Sequence, residues 1–232
     1  MSSPMDKQMR VAVVLLAAGT GSRFGHSTNK VWLELDGAAV ISRSLKNAVE
    51  SFNDPRTILV INPLDKEIAI ELLDKEVPEL EIEFVDGGKT RHESEYNALE
   101  YLASAIKEGS VNVVVIHDGA RPLASSELFH TVASTAHEHG GALPAIAVDQ
   151  REIDIRTERK LVRVQTPQAF RGKEVLDAYL QAKRDDFVGT DTAACMERYY
   201  PQTKSVAVKG EASNIKITYA EDLHIAQTLL LG

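Results

Sequence analysis

A chain of 232 residues carrying a formal net charge of −8 can bury a sizeable core, but it is too acidic for broad nucleic-acid binding. Its 44% hydrophobic and 26% charged residues are those of an ordinary globular protein, and its single cysteine, Cys195, excludes an internal disulfide or a cysteine-built metal site. The polar start has no signal-peptide core, and no apolar run approaches membrane length, so a cytoplasmic protein without a membrane partner is expected.

In chain order, residues 1–9 are expected to be disordered, and Val11–Leu16 is a β-branched strand. Ile41, Leu45, Ala48, Val49 and Phe52 fall at helical spacing, and 57–61 is strand-like. A helix over 66–75 and a strand over 80–85 follow. Thr90 and Glu93 form a capping box for a helix whose apolar face is Tyr96, Leu99, Leu102 and Ile106. The near-continuous apolar run 111–116 suits the middle of a parallel sheet. A helix with Leu128, Phe129, Val132 and Ala136 then leads to a strand over 142–148. Charged, alternating residues 151–165 read as an arm. Beyond them come a helix with Val175, Leu176, Tyr179 and Leu180, strands over 204–208 and 215–217, and a last helix capped by Thr218 and Glu221. Such alternation predicts a single α/β domain over 1–232, a mostly parallel sheet wrapped by helices with a short arm near 150–165.

Three segments carry candidate chemistry. The run Ala17-Ala18-Gly19-Thr20-Gly21 ends the first strand in a glycine-rich loop holding Arg23 and closing on Lys30. Glycine lets backbone amides ring a phosphate, and the two cations would neutralise a triphosphate. The glycine spacing is neither that of a dinucleotide fingerprint nor that of a P-loop. A plain strand-to-helix turn is the other reading of this loop. In the second segment, His117-Asp118-Gly119-Ala120-Arg121 follows the most apolar strand. That context puts Asp118 and Arg121 at the sheet's carboxyl edge, where a carboxylate can hold a triphosphate's divalent ion and an arginine a second anion. An Asp–Arg turn pair fits as well, and His117 reads as structural. The third, Asn214-Ile215-Lys216-Ile217-Thr218, offers Lys216 either to a phosphate or to solvent. Gln165-Thr166-Pro167-Gln168 and Gly189-Thr190-Asp191 are hydroxyl-bearing turns suited to a polar phosphorylated substrate, and Gly87-Gly88 is a turn whose backbone could read a base edge. Cys195 has no obvious base partner. Cations around a triphosphate, with no protein nucleophile, suit nucleotidyl transfer by positioning and charge stabilisation.

Taken in register, Leu16-Ala-Ala-Gly-Thr-Gly-Ser-Arg-Phe-Gly with Lys30, His117-Asp-Gly-Ala-Arg-Pro, Gln165-Thr-Pro-Gln, Thr190-Asp191 and Asn214-Ile-Lys-Ile-Thr resemble the 2-C-methyl-D-erythritol 4-phosphate cytidylyltransferases. The resemblance implies a Rossmann-like nucleotidyltransferase fold, Mg²⁺, CTP and a polyol phosphate, and a homodimer. It implies Arg23, Lys30 and Lys216 as catalytic cations on the phosphates, with Ala17, Ala18, Gly19, Thr20 and Gly21 lining the nucleotide. Gly87, Gly88 and Ser94 would lie near the cytosine, Asp118 near the ribose and metal, and Arg121, Thr166 and Thr190 near the acceptor.

The chain departs from that pattern at Lys89, after the Gly-Gly, and at Gln150, where a threonine is usual. The stretch 150–166 is also shorter than the arm that, in the family, embraces a partner subunit and lends it an arginine. Arg156, Arg159 and Arg163 are the candidates here. Two other readings therefore stand beside the first: a cytidylyltransferase for another polyol phosphate such as ribitol 5-phosphate, and a non-catalytic nucleotide-binding relative.

Overall fold

The computed structural model describes residues 8–19, 29–148 and 161–231. The chain opens with β1 (Val11–Leu16), a short hairpin of β2 (Glu34–Leu35) and β3 (Ala38–Ala39), α1 (Val40–Glu50) and β4 (Arg56–Ile61). It continues through α2 (Lys66–Glu76), β5 (Ile82–Asp86), α3 (Arg91–Tyr101), α4 (Ala103–Glu108), β6 (Val113–Asp118), α5 (Ser126–His139) and β7 (Gly141–Ala147). The last part holds β8 (Val162–Val164), β9 (Gln168–Arg171), α6 (Gly172–Arg184), α7 (Thr192–Tyr199), β10 (Ser205–Lys209) and α8 (Ala220–Leu231).

Among the described residues the main sheet runs in the order β10-β7-β9-β6-β1-β4-β5, with β8 paired to β7 off that path. β1 pairs in parallel with β4 and β6, β4 with β5, and β10 with β7. β9 runs antiparallel to both β6 and β7. The sheet is thus mixed but mostly parallel, as the alternating pattern predicts.

Alternation along each strand sends residues to opposite faces. Val13, Leu15, Leu59 and Val115 meet Ile41 and Leu45 of α1 and Phe129 of α5 on one side. Val14, Ile58, Val60 and Ile116 meet Leu99 of α3 and Tyr179 of α6 on the other. Residues with zero exposure on both faces explain the unbroken apolarity of β1, β4 and β6.

Several expectations need correction. Gln8 and Met9 belong to the fold: the Gln8 carbonyl accepts from Asn112 Nδ2 at 2.8 Å, and Met9 packs on the core. β9 and α7 were not legible as elements in the sequence. Residues 215–217 form no strand; Ile217 N donates to Ala120 O at 2.9 Å within an irregular loop. The start of α8 is closed by Asp222 rather than Glu221, its Oδ2 accepting from Thr218 N at 2.7 Å and Tyr219 N at 2.8 Å. The projected arm lies largely outside the described residues, and its return forms β8 against Ala145–Ala147. No helix among the described residues is long and apolar enough to cross a membrane.

Cys195 is buried, and burial pushes its thiol up to about 12. Iodoacetamide at pH 8 is therefore expected to leave the native protein unmodified and to label Cys195 once denaturant is added. Rapid labelling of the native protein, read by mass spectrometry, would contradict that burial.

Candidate active site

A cavity of about 770 Å³ opens at the carboxyl ends of β1, β4 and β6, the edge at which open α/β sheets bind ligands. Ala17, Ala18, Gly19, Lys30, Gly87, Gly88, Ser94, Asp118 and Lys216 all line it, so the structure gathers these sequence-separated candidates around one space. Arg121, Thr166 and Thr190 are not among its lining residues. Thr20, Gly21 and Arg23 lie outside the described residues.

At the base of the cavity sits Asp118, the last residue of β6. Lys216 Nζ contacts its Oδ2 at 2.7 Å, Arg91 Nε its Oδ1 at 3.3 Å, and Arg121 Nε its Oδ2 at 3.8 Å. Burial alone would push this carboxyl up, but Arg91, Lys216 and Arg121 outweigh it and hold the group well below the usual carboxylate range. Asp118 is therefore a permanent anion that fixes three cations.

Lys216 reaches Asp118 because its loop is pinned from below. Asn214 Nδ2 donates to Thr166 O at 2.9 Å, and the Asn214 carbonyl accepts from Arg121 Nη1 at 2.7 Å and Gln165 Nε2 at 3.1 Å. These side-chain bonds replace the strand ladder that the alternating sequence suggests. Thr166 supports the same corner, its Oγ1 accepting from Asp118 N at 3.0 Å. His117, fully buried, meets Thr166 Oγ1 through Nδ1 at 3.2 Å and Arg121 O through Nε2 at 3.1 Å. Burial lowers it to about 4, so it is a neutral structural imidazole at pH 7. Thr190 is exposed, in a loop tied to α3 by Gly189 N donating to His92 Nδ1 at 3.4 Å.

The Gly87-Gly88 turn forms the opposite wall. A side chain at Gly87 would collide with Ala18, its Cβ falling 2.2 Å from the alanine Cβ, so glycine is what lets β5's exit lie against β1's. The amides of this turn are already used. Gly87 N donates to Ile61 O at 2.7 Å, Gly88 N to Ser94 Oγ at 3.0 Å, and Lys89 N to Glu93 Oε2 at 2.7 Å. The capping box thus reaches back to Lys89 N, while Thr90 Oγ1 accepts from Glu93 N at 3.1 Å.

Sequence reasoning missed Arg91 and Glu95. Arg91 lines the cavity and joins Asp118 to Glu95, whose carboxylate has no exposure and lies 2.5 Å from Arg91 Nη1. Glu95 also accepts from Thr192 Oγ1 at 2.9 Å and from the Tyr179 hydroxyl. The available signal was an i, i+4 Arg–Glu pair starting at the first residue after the Thr90 cap, with its acidic member facing the core. In all, Lys30, Lys89, Arg91 and Lys216 line the cavity against Asp118 and Glu93, a local cationic excess on a chain of net charge −8.

The acidic side chains also bear on a divalent ion. No cluster of three His, Cys, Asp or Glu side chains capable of holding a metal occurs among the described residues. Of the carboxylates that line the cavity, Asp118 at its base could lend one oxygen to an ion carried mainly by a nucleotide's phosphates.

Comparison with known proteins agrees with this geometry. The family model described as 2-C-methyl-D-erythritol 4-phosphate cytidylyltransferase matches residues 11–231. Curated proteins of that name from Bacillus mycoides and Geobacillus thermodenitrificans are each 34% identical to the chain. The matches cover 94% and 96% of it, and 96% and 97% of those proteins. The solved 4-diphosphocytidyl-2C-methyl-D-erythritol synthase of Anaerococcus prevotii superposes with a TM-score of 0.79 at 26% identity, covering the whole of both chains. The cytidylyltransferase from Thermus thermophilus superposes at 0.69 and 25% identity, covering 97% of this chain and 100% of that one. The sheet-edge cavity, the cations gathered on Asp118 and the match over nearly the whole chain lead to one assignment: the chain belongs to the 2-C-methyl-D-erythritol 4-phosphate cytidylyltransferase family.

Proposed function

We propose that the cavity binds CTP and 2-C-methyl-D-erythritol 4-phosphate side by side and joins them to CDP-methylerythritol, releasing pyrophosphate. The observation that carries this reading is a single cavity shared by Lys30, Lys216 and the Gly87-Gly88 turn, with Asp118 at its base. An acceptor phosphate oxygen attacks the α-phosphorus in line. The new P–O bond forms as the α–β bridging P–O bond breaks, and the electron pair leaves with pyrophosphate. Lys30, Arg23 and Lys216 stabilise the charge that accumulates on the phosphoryl oxygens, so positioning and electrostatics carry the step. Ala17, Ala18 and Gly19 border the nucleotide from the β1 side, and Thr20 and Gly21, outside the described residues, are assigned to it on the family resemblance.

At the base, the amides of the Gly87-Gly88 turn are spent internally, so its carbonyls are the groups left to meet a ligand. Carbonyl acceptors suit the exocyclic amine of cytosine and oppose the O4 acceptor of uracil. Ser94 holds that turn in place. A Mg²⁺ ion arriving with the triphosphate would take one oxygen from Asp118 and neutralise phosphate charge. Arg121 and Thr166, which do not line the cavity, hold Asp118 from behind, and they and Thr190 are assigned to the acceptor on the family resemblance. A cytoplasmic homodimer is part of the same reading, the dimer being supported by Val162 and Val164, apolar yet exposed on β8.

Pyrophosphate release measured with CTP and a panel of polyol phosphates tests the proposal. Turnover is expected with methylerythritol phosphate, much less with UTP in place of CTP, and none after EDTA until Mg²⁺ is restored. Failure to turn over methylerythritol phosphate overturns the acceptor assignment. Ribitol 5-phosphate turnover would then point to the related polyol enzyme, and CTP binding without any turnover to a non-catalytic relative.

A further inference from the structure

The described chain leaves β1 through Ala17–Gly19 and resumes at Asn29, and this return is clamped by side-chain hydrogen bonds. Asn29, buried, donates from Nδ2 to Ala17 O at 2.6 Å and to Asp65 Oδ2 at 3.2 Å. Its Oδ1 accepts from Val31 N at 3.4 Å, starting a 3-10 turn over Lys30–Trp32. Trp32, also buried, donates from Nε1 to the same Asp65 Oδ2 at 3.0 Å. One carboxylate oxygen therefore gathers the residue before Lys30 and the residue two after it.

Asp65 ends a 3-10 turn over Pro63–Asp65 that runs straight into α2, and the cap of that stretch is Asn62, whose Oδ1 accepts from Leu64 N at 3.0 Å. Asp65 makes no side-chain bond to the amides of α2, and its Oδ2 is turned across to the Lys30 turn. Asp65 is also absent from the cavity lining, although Asn62 and Pro63 just before it, like Asn29 and Lys30, line it. A lysine's flexible stem holds its ammonium in one place only if its backbone is held, and small misplacements of a charge-stabilising group cost rate steeply.

We propose that Asp65 is a positioning residue for Lys30: by drawing Asn29 and Trp32 together it fixes the returning end of the loop so that the ammonium faces the triphosphate. The inference rests on the reading of Lys30 as a triphosphate cation. It predicts that Asp65 acts on CTP and not on the acceptor, and that its effect disappears when Lys30 is gone.

A double-mutant cycle of Asp65→Ala and Lys30→Ala tests it, with steady-state kinetics for both substrates and thermal melting of each variant. Asp65→Ala is expected to lower kcat/KM for CTP on the order of tenfold, leaving the acceptor KM near its starting value. Asp65→Asn, whose carbonyl oxygen can still accept from both donors, is expected to keep activity within about threefold. In the Lys30→Ala background the Asp65→Ala change should add less than about twofold. Emission from Trp32, the one tryptophan of the chain, reports directly whether the clamp has opened. Should Asp65→Ala fail to fold, Trp32→Phe, which removes one donor to Asp65 together with part of a buried ring and the emission signal, takes its place in the cycle, with thermal melting as its folding control.

Full activity in the alanine variant overturns the proposal, as does a loss of equal size with and without Lys30. If Lys30→Ala alone is as active as the native protein, the triphosphate reading falls first, and the inference with it.

Discussion

Lys30→Ala is expected to lower kcat by about a hundredfold or more, the scale for losing one preorganised donor to transition-state charge. The lysine lines the cavity at the point where the loop rejoins the fold, and the turn that carries it is held by Asn29. On the proposed reading, a lysine whose backbone is held in this turn meets the negative charge that builds on the leaving pyrophosphate with little reorganisation. Arg23→Ala is expected to cost as much, by the same reasoning from the sequence. Lys204, exposed ahead of β10, is the control: its removal changes the total charge equally and should leave kcat within about twofold. Initial rates of pyrophosphate release at saturating CTP decide the matter. Near-native activity in Lys30→Ala would refute the triphosphate grip.

Glu95→Ala is the substitution expected to harm stability most. Burial pushes this carboxyl upward, while Arg91 and the Tyr179 and Thr192 hydroxyls draw it back toward the charged form. Truncation leaves two hydroxyls without their acceptor and takes one partner from a mostly buried guanidinium. Breaking a buried pair in this way costs about 3–5 kcal/mol, and the lower end applies here because Arg91 keeps Asp118 at 3.3 Å. For a chain of this size that corresponds to a fall in Tm on the order of 10 °C. Glu95→Gln, which still accepts through one oxygen, is expected to lose less than half as much. Scanning fluorimetry and urea unfolding of both variants measure it, and an unchanged Tm in Glu95→Ala would mean that the network does not bear on folding.

The β1 and β6 side of the cavity was largely legible from sequence because it is built on strong periodic signals. The apolar runs of β1 and β6 announce buried parallel strands, and residues just past their ends must lie at one edge. Asp118 followed from that rule, Lys30 from the cations of the glycine-rich loop, and Ala17 from the family resemblance. The Lys216 loop did not, because its alternating apolar residues mimic a strand, and only side-chain bonds from Asn214, Gln165 and Arg121 hold it irregular. β9 escaped because it offers only Ala169 and Phe170 as apolar residues between polar ends, a pattern too short to carry a period. Arg91 and Glu95 escaped for a different reason. On a helix they read as an ordinary surface pair, and only the tertiary fold turns that face inward to make Glu95 one of the least exposed charges in the molecule.

The reversed strand β9 has a consequence for how such enzymes diversify. Because it runs against its neighbours, its leading end lies at the same edge as the trailing ends of β1 and β6, which is how Thr166 comes to stand beside Asp118. Among the described residues the strands β1, β4, β5 and β6, whose ends border the cavity, form one block of the sheet, and β9, β7, β8 and β10 form another, joined along the β6–β9 pair. Thr166 and Lys216 reach Asp118 from the second block, so only the loops of that block that carry neither residue can drift in length and sequence without touching the first. Mutation is free to explore there, while those two crossings hold the shared corner in place.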